Sequence, residues 1–200
     1  MRDLFNAARE LQAFCRANAW PFCFIGGLAV WRWGKPRFTQ DVDVTLLAGF
    51  SGEGKIVDAF LARYQSRVPN GRDLFIEQRV MRLTDATGVP IDVALGGLPF
   101  EELAVARASD FEYTPGEPLR VCSAEDLVVM KAFAGRPHDW GDIDAVLARS
   151  ARVLAWNYVY EQLCPLAELK EAPELVSHLR ALERKWRNDS LGEQSDGVMS

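Results

Sequence analysis

Strict alternation of apolar and polar residues marks the segment 41–46, which reads Asp-Val-Asp-Val-Thr-Leu. This two-residue period is typical of a β-strand, whose successive side chains point to opposite faces of a sheet. The apolar residues of the segment therefore belong on the core side. Asp41 and Asp43 share the other face, where their carboxylates can converge on one point.

A second strand with the same division of faces is predicted later in the chain. Residues 75–84 and 89–95 have the pattern of a hairpin whose arms are joined through residues 85–88, Asp-Ala-Thr-Gly. In the second arm the apolar side chains share one face, and Asp92 lies on the opposite one. If this strand lies beside the first with its faces matched, Asp92 adds a third carboxylate to Asp41 and Asp43.

A glycine pair, Gly26-Gly27, separates an apolar strand over 22–25 from a short helix over 28–33. Glycines at a helix N-terminus allow phosphates close to the backbone, where N–H donors and the helix dipole favour anions. The basic residues Lys35 and Arg37 follow and could form a lip for phosphate or RNA, although a solvated loop is an equal alternative. By itself the glycine pair is only a tight turn, and an isolated Asp-x-Asp on a surface strand is commonly just solvated.

The remaining patterns predict mostly helices. Amphipathic or apolar stripes indicate helices near 2–18, 56–64, 100–108, 123–135, from Asp139 or Asp142 to 147, 152–163 and 173–187. Residues 119–121 are expected to form a short edge strand. We predict an α+β fold: a small mixed β-sheet core flanked by helices over residues 1–122, a C-terminal helical region over 123–187, and a disordered tail over 188–200.

Charge and cysteine content narrow the class of protein. A formal net charge of −5 argues against a protein that coats nucleic acid non-specifically, but leaves room for a local basic patch. The four cysteines show no C-x-x-C spacing, so we expect reduced core residues. The N-terminus lacks the apolar segment of a signal peptide, and no apolar run approaches the ~18 residues of a membrane span. These features predict a cytoplasmic protein with no membrane partner.

Three carboxylates on one face would fit divalent metal. Magnesium prefers oxygen ligands and binds through one or two carboxylates together with waters and substrate phosphates. Asp41, Asp43 and Asp92 would repel one another unless Mg²⁺ or Mn²⁺ neutralised them. Asp92 could share the metal or accept a proton as general base.

These motifs in this order resemble a known superfamily. Gly26-Gly27, then the segment 39–43 (Thr-Gln-Asp-Val-Asp), then the segment 91–93 (Ile-Asp-Val) are similar to the nucleotidyltransferases built on the DNA polymerase β-like core. The segment 123–143, SAEDLVVMKAFAGRPHDWGDI, is similar to the bacterial AbiEii-like group, which includes toxins of type IV toxin–antitoxin systems. The resemblance covers roughly residues 22–147.

The resemblance implies transfer of a nucleoside monophosphate from an NTP to a hydroxyl group, with release of pyrophosphate. It implies that Asp41 and Asp43 are metal ligands and that Asp92 is the third acid. Lys131 matches a helix lysine that reaches the triphosphate, and Asp139 matches an acidic position near the active site. One departure is that many members have Gly-Ser where this chain has Gly26-Gly27, so a hydroxyl contact to phosphate is missing.

Alternatives to these roles exist. Lys131 could be a snorkelling lysine at a helix edge, and Asp139 could be an N-cap or the partner of Arg136 in a salt bridge. The acceptor could be RNA, such as a tRNA end, or a small molecule such as an aminoglycoside or a lincosamide. A non-catalytic nucleotide-binding module is a third possibility. An antitoxin is the macromolecular partner that the resemblance implies.

Overall fold

A seven-stranded mixed sheet is the main feature of the computed structural model, which describes residues 2–192. In chain order its strands are β1 (Phe22–Phe24), β2 (Val42–Leu47), β3 (Gln65–Ser66), β4 (Val80–Thr84), β5 (Pro90–Gly96), β6 (Ser109–Thr114) and β7 (Glu117–Val121). They lie side by side in the order β3-β4-β5-β2-β1-β7-β6. The pairs β2–β5 and β1–β7 are parallel and the other neighbouring pairs are antiparallel, which confirms the predicted mixed sheet.

Along the sequence, helices are interspersed with the strands, and in the described part of the chain the regular elements after β7 are all helices. They are α1 (Arg2–Ala17), α2 (Gly26–Trp33), α3 (Glu53–Leu61), α4 (Gly71–Gln78), α5 (Pro99–Arg107), α6 (Ala124–Ala134), α7 (Pro137–Ser150), α8 (Trp156–Leu169) and α9 (Glu174–Gly192). No helix in the described range 2–192 combines the length and apolar character needed to span a membrane. The cysteines within this range form no disulfide, and burial raises the pKa of the Cys15 thiol to about 12.

The chain divides into two compact units. The first consists of Met1–Ala29 and Arg37–Ser123, and the second of Val30–Pro36 and Ala124–Ser200. The first unit contains all seven strands, and the second contains α6 to α9.

Alternation along β2 and β5 produces the core of the first unit. Val42, Val44 and Leu46 on β2 are fully buried, as are Ile91 and Val93 on β5. Each such side chain contributes about 1.5–3 kcal/mol by leaving water. A shift of one residue in register would expose this whole set, so burial fixes which side chains occupy the polar face.

The first arm of the predicted hairpin is partly wrong. Residues 80–84 form β4, but Phe75 belongs to the helix α4, which runs from Gly71 to Gln78. The helix is flanked by Asn70 and Arg79, both of which have left-handed backbone conformations (φ of 49° and 55°). Residues other than glycine adopt this conformation only occasionally, so neither end of α4 could be predicted from the residue types at these positions.

The predicted edge position of residues 119–121 is also wrong. They lie in β7, which has β1 on one side and β6 on the other. The opposite edge of the sheet is β3, and the edge strand on this side is β6, for which no element is predicted. Its alternation of Phe111 and Tyr113 with Asp110 and Glu112 was the available signal.

The second unit is helical, and its apolar side chains are buried along each helix. Leu127 and Val128 of α6, Ile143 of α7, Leu163 of α8 and Leu179 of α9 are at most 1% exposed. Helix α9 continues to Gly192, beyond residue 187 where the sequence analysis ended it. The rest of the predicted disordered tail, 193–200, lies outside the described residues.

Candidate active site

Asp43 and Asp92 occupy matching positions on neighbouring strands. Strands β2 and β5 are parallel, and Asp43 is the register partner of Asp92. Their flanking residues are buried on the opposite face, so both carboxylates lie on the polar face of the sheet. Neighbouring strands are about 4.8 Å apart, which brings the two acids within reach of each other. Asp41 directly precedes β2, two residues before Asp43.

The backbone of Gly26 lies in close contact with the carboxylate of Asp43. Its φ is +56°, a left-handed conformation that favours glycine, and a Cβ placed there would lie 1.9 Å from Oδ2 of Asp43. Any side chain at position 26 would therefore displace the Asp43 carboxylate. Because Gly26 is also the first residue of α2, the carboxylate lies beside a helix N-terminus, where N–H groups lack intrahelical partners.

Thr39 is a site residue that the sequence analysis did not identify. It is 7% exposed, and its hydroxyl donates a 2.8 Å hydrogen bond to Oδ1 of Asp41. A Cβ at Gly27 would lie 2.4 Å from Thr39 Oγ1. Thr39 thus orients one carboxylate and fills the space beside the second glycine. Only its position in the Thr-x-Asp-x-Asp segment could have drawn attention to it.

Asp92 is flanked by arginines. Arg67 forms an ion pair with it, and each of these side chains is 35% exposed. Arg82 on β4 is the antiparallel register partner of Asp92. Across the polar face the order is therefore Arg82, Asp92 and Asp43, so the acids are not left to repel one another. Neither arginine was identified from the sequence, because strand pairing alone creates this arrangement.

Oxygen donors of Asp41 and Asp43 fit a magnesium site, because one or two carboxylates with water and phosphate oxygens suffice for this ion. The Thr39 hydroxyl holds Asp41 in place, and Gly26 leaves room for Asp43. In the described residues no three histidine, cysteine, aspartate or glutamate side chains are arranged so that they could hold a metal ion together. Asp92, paired with Arg67, is the member of the predicted set whose contact with metal requires a rearrangement.

Lys131 and Asp139 lie in the second unit and pair with each other. Lys131 on α6 is 8% exposed, and its Nζ lies 2.8 Å from Oδ1 of Asp139 and 2.9 Å from Oδ2 of Asp142, both on α7. Arg136 Nε donates to Asp139 Oδ2 at 2.6 Å. Asp142 is a further residue that the sequence analysis did not assign to the site. Lys131 is a buried, doubly paired lysine, which differs from the snorkelling alternative.

The surroundings of Asp139 favour its charged form. Burial by itself raises the pKa of this carboxyl, but hydrogen bonds from Arg136 and Lys131 outweigh burial and hold the pKa below its ordinary value. The backbone N–H of Arg136 also donates to Asp139, at 3.3 Å. Asp139 is the third residue of α7, whose N-cap is Arg136, so the N-cap alternative is wrong. Its carboxylate accepts hydrogen bonds from the side chain and the backbone N–H of Arg136, which confirms the salt-bridge alternative.

The loop between α2 and β2 exposes both charge and an aromatic ring. Lys35 and Arg37 are exposed, and Phe38 is 71% exposed. Thr39 follows directly and is buried against Gly27. An exposed phenylalanine between basic residues and the carboxylate strand is a surface on which a nucleobase can stack.

The predicted site residues thus fall into two groups. Gly26, Gly27, Asp41, Asp43 and Asp92 belong to the first unit, where contacts of Gly26 with Asp43, of Gly27 with Thr39 and of Thr39 with Asp41 link them beside the β2–β5 pair. Lys131 and Asp139 form an ion pair in the second unit.

Comparison with solved structures identifies the fold. The chain is similar to a nucleotidyltransferase-like protein from Paracoccidioides brasiliensis, an antigenic protein, with 16% identity, a TM-score of 0.51, and coverage of 90% of this chain and 94% of that one. The fold is therefore that of a nucleotidyltransferase. The sequence also matches the model of the family described as nucleotidyl transferase AbiEii toxin, type IV toxin–antitoxin system, over residues 11–163. The chain belongs to this family.

Two further structures show weaker likeness. The lincosamide antibiotic adenylyltransferase LnuA, solved with lincomycin bound, is 14% identical with a TM-score of 0.48, and the alignment covers 68% of this chain and 92% of LnuA. The antibiotic-resistance factor ANT(2'')-Ia is 18% identical with a TM-score of 0.45, and the alignment covers 96% of this chain and 95% of that one. No curated protein sequence matches the chain. Membership of the AbiEii family confirms the predicted resemblance and the enzyme class, a nucleotidyltransferase.

Proposed function

We propose that this protein transfers a nucleoside monophosphate from an NTP to a hydroxyl group at an RNA end, in a reaction that depends on Mg²⁺ or Mn²⁺. The observation that carries the proposal is the pairing of Asp43 with Asp92 on parallel strands, with Asp41 directly before the first of them. A family of nucleotidyltransferases supplies the reaction class. The acidic face beside two glycines supplies a place for that reaction.

The reaction exchanges one phosphorus–oxygen bond for another. The acceptor hydroxyl oxygen bonds to the α-phosphorus of the NTP, and the bond from that phosphorus to the bridging oxygen breaks. Pyrophosphate leaves with the electron pair of the broken bond. The hydroxyl proton passes to a carboxylate, for which we propose Asp92, after its contact with Arg67 is released.

Asp41 and Asp43 would hold the metal, with Asp92 as the third carboxylate. When bound, the ion would neutralise phosphate charge and favour ionisation of the acceptor hydroxyl. Thr39 supports this assignment because its hydrogen bond fixes the orientation of Asp41. Gly26 supports it because the absence of a side chain leaves the Asp43 carboxylate in place.

Phosphates would be bound by backbone and by lysine. The N-terminus of α2 at Gly26-Gly27 offers N–H donors without a side chain in the way. We also propose Lys131 as a ligand of the triphosphate, as the family resemblance implies. A lysine ammonium has three N–H donors, and Asp139 and Asp142 account for two of them. Asp139 in this proposal positions Lys131.

An RNA acceptor is supported by the loop over residues 35–38. Its two basic side chains suit phosphates, and the exposed ring of Phe38 suits a base. We include a tRNA end as the acceptor on the proposal that this chain acts like the type IV toxins after which its family is described. We further propose a cytoplasmic site of action, where NTP and tRNA are available, and an antitoxin as the partner.

Labelled transfer tests the proposal. The purified protein is incubated with each α-³²P-labelled NTP and Mg²⁺, with total tRNA in one series and aminoglycosides or lincosamides in another. Label in tRNA with one preferred NTP is the expected result, and it should disappear with EDTA and in Asp43→Asn. Asp73→Asn, a change at an exposed aspartate of α4, is the matched control. Label in an antibiotic would replace RNA as the acceptor, and full activity in Asp43→Asn would overturn the metal assignment.

A further inference from the structure

Arg67 contacts Asp92, a carboxylate of the site that also faces a neighbouring acid. The register partner of Asp92 on β2 is Asp43. The backbone of Arg67 is anchored, because its N–H donates to the carbonyl of Arg82 at 2.9 Å. Arg82 is in turn the register partner of Asp92. The guanidinium therefore reaches Asp92 across β4 from a fixed point.

The ion pair between Arg67 and Asp92 affects the charge balance of the site. Two carboxylates on adjacent strands repel each other, and a nearby positive charge is needed to offset that repulsion. In the protein without metal, Arg67 supplies such a charge. A divalent cation at the same carboxylates would supply more charge, and its repulsion of the guanidinium would oppose simultaneous contact of both with Asp92.

We propose that Arg67 is an internal counter-charge that holds Asp92 in the metal-free enzyme and gives up this contact when a divalent cation binds. The inference rests on the proposed metal site. The ion pair is partly exposed, and such pairs are weak, so a metal can displace the guanidinium. Arg67 thus lowers the affinity of the site for metal alone and keeps the carboxylates in position until metal arrives.

Direct metal binding tests this role without any turnover. Mn²⁺ is titrated into the full-length protein in the absence of nucleotide, and free Mn²⁺ is followed by electron paramagnetic resonance. Arg67→Gln, which keeps most of the side-chain volume, is expected to bind Mn²⁺ about two- to fivefold more tightly than the unmodified protein, because exposed pairs are worth up to about a factor of five. Arg67→Lys keeps the charge and should stay close to the unmodified protein.

A matched control comes from the same unit. Arg72 is also exposed and pairs with an aspartate, Asp58 of α3. Arg72→Gln should leave the Mn²⁺ affinity unchanged. Equal affinity in Arg67→Gln and Arg72→Gln would overturn the inference, since Arg67 would then be an ordinary surface ion pair.

Thermal unfolding provides a second readout. Without metal, Arg67→Gln should unfold at a lower temperature, because the acids lose their counter-charge, and Mn²⁺ should raise its Tm by more than it raises that of the unmodified protein. Asp43→Asn separates the two proposals. If Asp43→Asn leaves Mn²⁺ binding intact, the metal site itself fails. If Asp43→Asn weakens binding while Arg67→Gln changes nothing, only the role of Arg67 fails.

Discussion

The backbone of Gly27 and the hydroxyl of Thr39 occupy adjoining space, so that a Cβ on Gly27 would lie 2.4 Å from Thr39 Oγ1. This contact explains why the chain departs from the Gly-Ser pattern of many related enzymes. A serine at position 27 would collide with Thr39. The hydroxyl of Thr39 also donates a hydrogen bond to Asp41. Thr39 therefore places a hydroxyl beside the glycine pair, where a serine at position 27 would otherwise carry one.

Thr39→Val should distinguish the role of Thr39 in packing against Gly27 from its role as hydrogen-bond donor to Asp41. Valine fills nearly the same volume against Gly27 but cannot donate to Asp41. Hydrogen bonds to charged groups are worth about 1.5–3 kcal/mol, so we expect Mn²⁺ affinity and nucleotide transfer to fall about tenfold or more with the fold retained. Mn²⁺ titration and labelled transfer measure this, and Thr39→Ser should recover most of the loss. Equal activity of the valine and serine variants would show that the hydroxyl has no role.

Gly26→Ala should disable the site in a different way. Alanine at φ +56° costs about 1–2 kcal/mol, and its Cβ would also displace the carboxylate of Asp43. Gly49→Ala is the matched control, because Gly49 has a similar φ of +64° but nothing within 4 Å of the added Cβ. Both variants should lose stability in thermal unfolding, and Gly26→Ala should lose more, because its Cβ would also lie 2.8 Å from the Cβ of Asp43. Only Gly26→Ala should lose nucleotide transfer. Comparable transfer in both variants would contradict the conclusion that Gly26 is needed to keep the Asp43 carboxylate in place.

The local sequence pattern predicts the two strands β2 and β5, but it does not predict how they pair. The period of two along 41–46 and 89–95 predicts that the alternating apolar side chains of β2 and β5 are buried and that Asp41, Asp43 and Asp92 lie on polar faces. It does not predict the burial of Thr45, which is 2% exposed. It does not predict that Asp43 and Asp92 are register partners, because register depends on how two distant segments pair.

The roles of residues that act through tertiary contacts could not be predicted from the sequence. Arg67 contacts Asp92 only because β3 and β4 bring the two together, and the ends of α4 adopt left-handed conformations without glycine. Thr39 was visible in its motif, but its role depends on the approach of Gly27. Lys131 was predicted as a phosphate ligand, whereas its pairing with Asp142 depends on how α6 and α7 pack.

The ion-paired cluster of Lys131, Asp139 and Asp142 should be essential for stability. Removing the ammonium in Lys131→Met takes one cation away from two buried carboxylates, and breaking a buried pair costs about 3–5 kcal/mol. Urea unfolding at pH 7 measures this loss. Lys55→Met, at an exposed lysine of α3, should change the free energy of unfolding very little. A loss as small as that of Lys55→Met would show that the cluster is not stabilising.

The same cluster predicts how stability depends on pH. The pKa of Asp139 is lower in the folded protein than the ordinary value of 3.8. Its contribution is therefore complete above that value and is lost as pH falls through the lowered folded pKa. Because a protonated Asp139 no longer needs the ammonium, the difference in unfolding free energy between the unmodified protein and Lys131→Met should shrink below about pH 4. A difference that stayed constant from pH 7 to pH 3 would contradict the assignment.

The exposed ring of Phe38 should matter for the acceptor and not for the nucleotide. Stacking of a base on an aromatic side chain is worth about 1–3 kcal/mol, so Phe38→Ala should raise the KM for tRNA about fivefold or more while the KM for NTP stays the same. Phe50→Ala is the matched control, because Phe50 is 66% exposed but Arg79 lies 4.7 Å over its ring. Steady-state transfer with varied tRNA and then varied NTP separates the two constants. A KM for tRNA that responds equally to both substitutions would assign the acceptor to another surface.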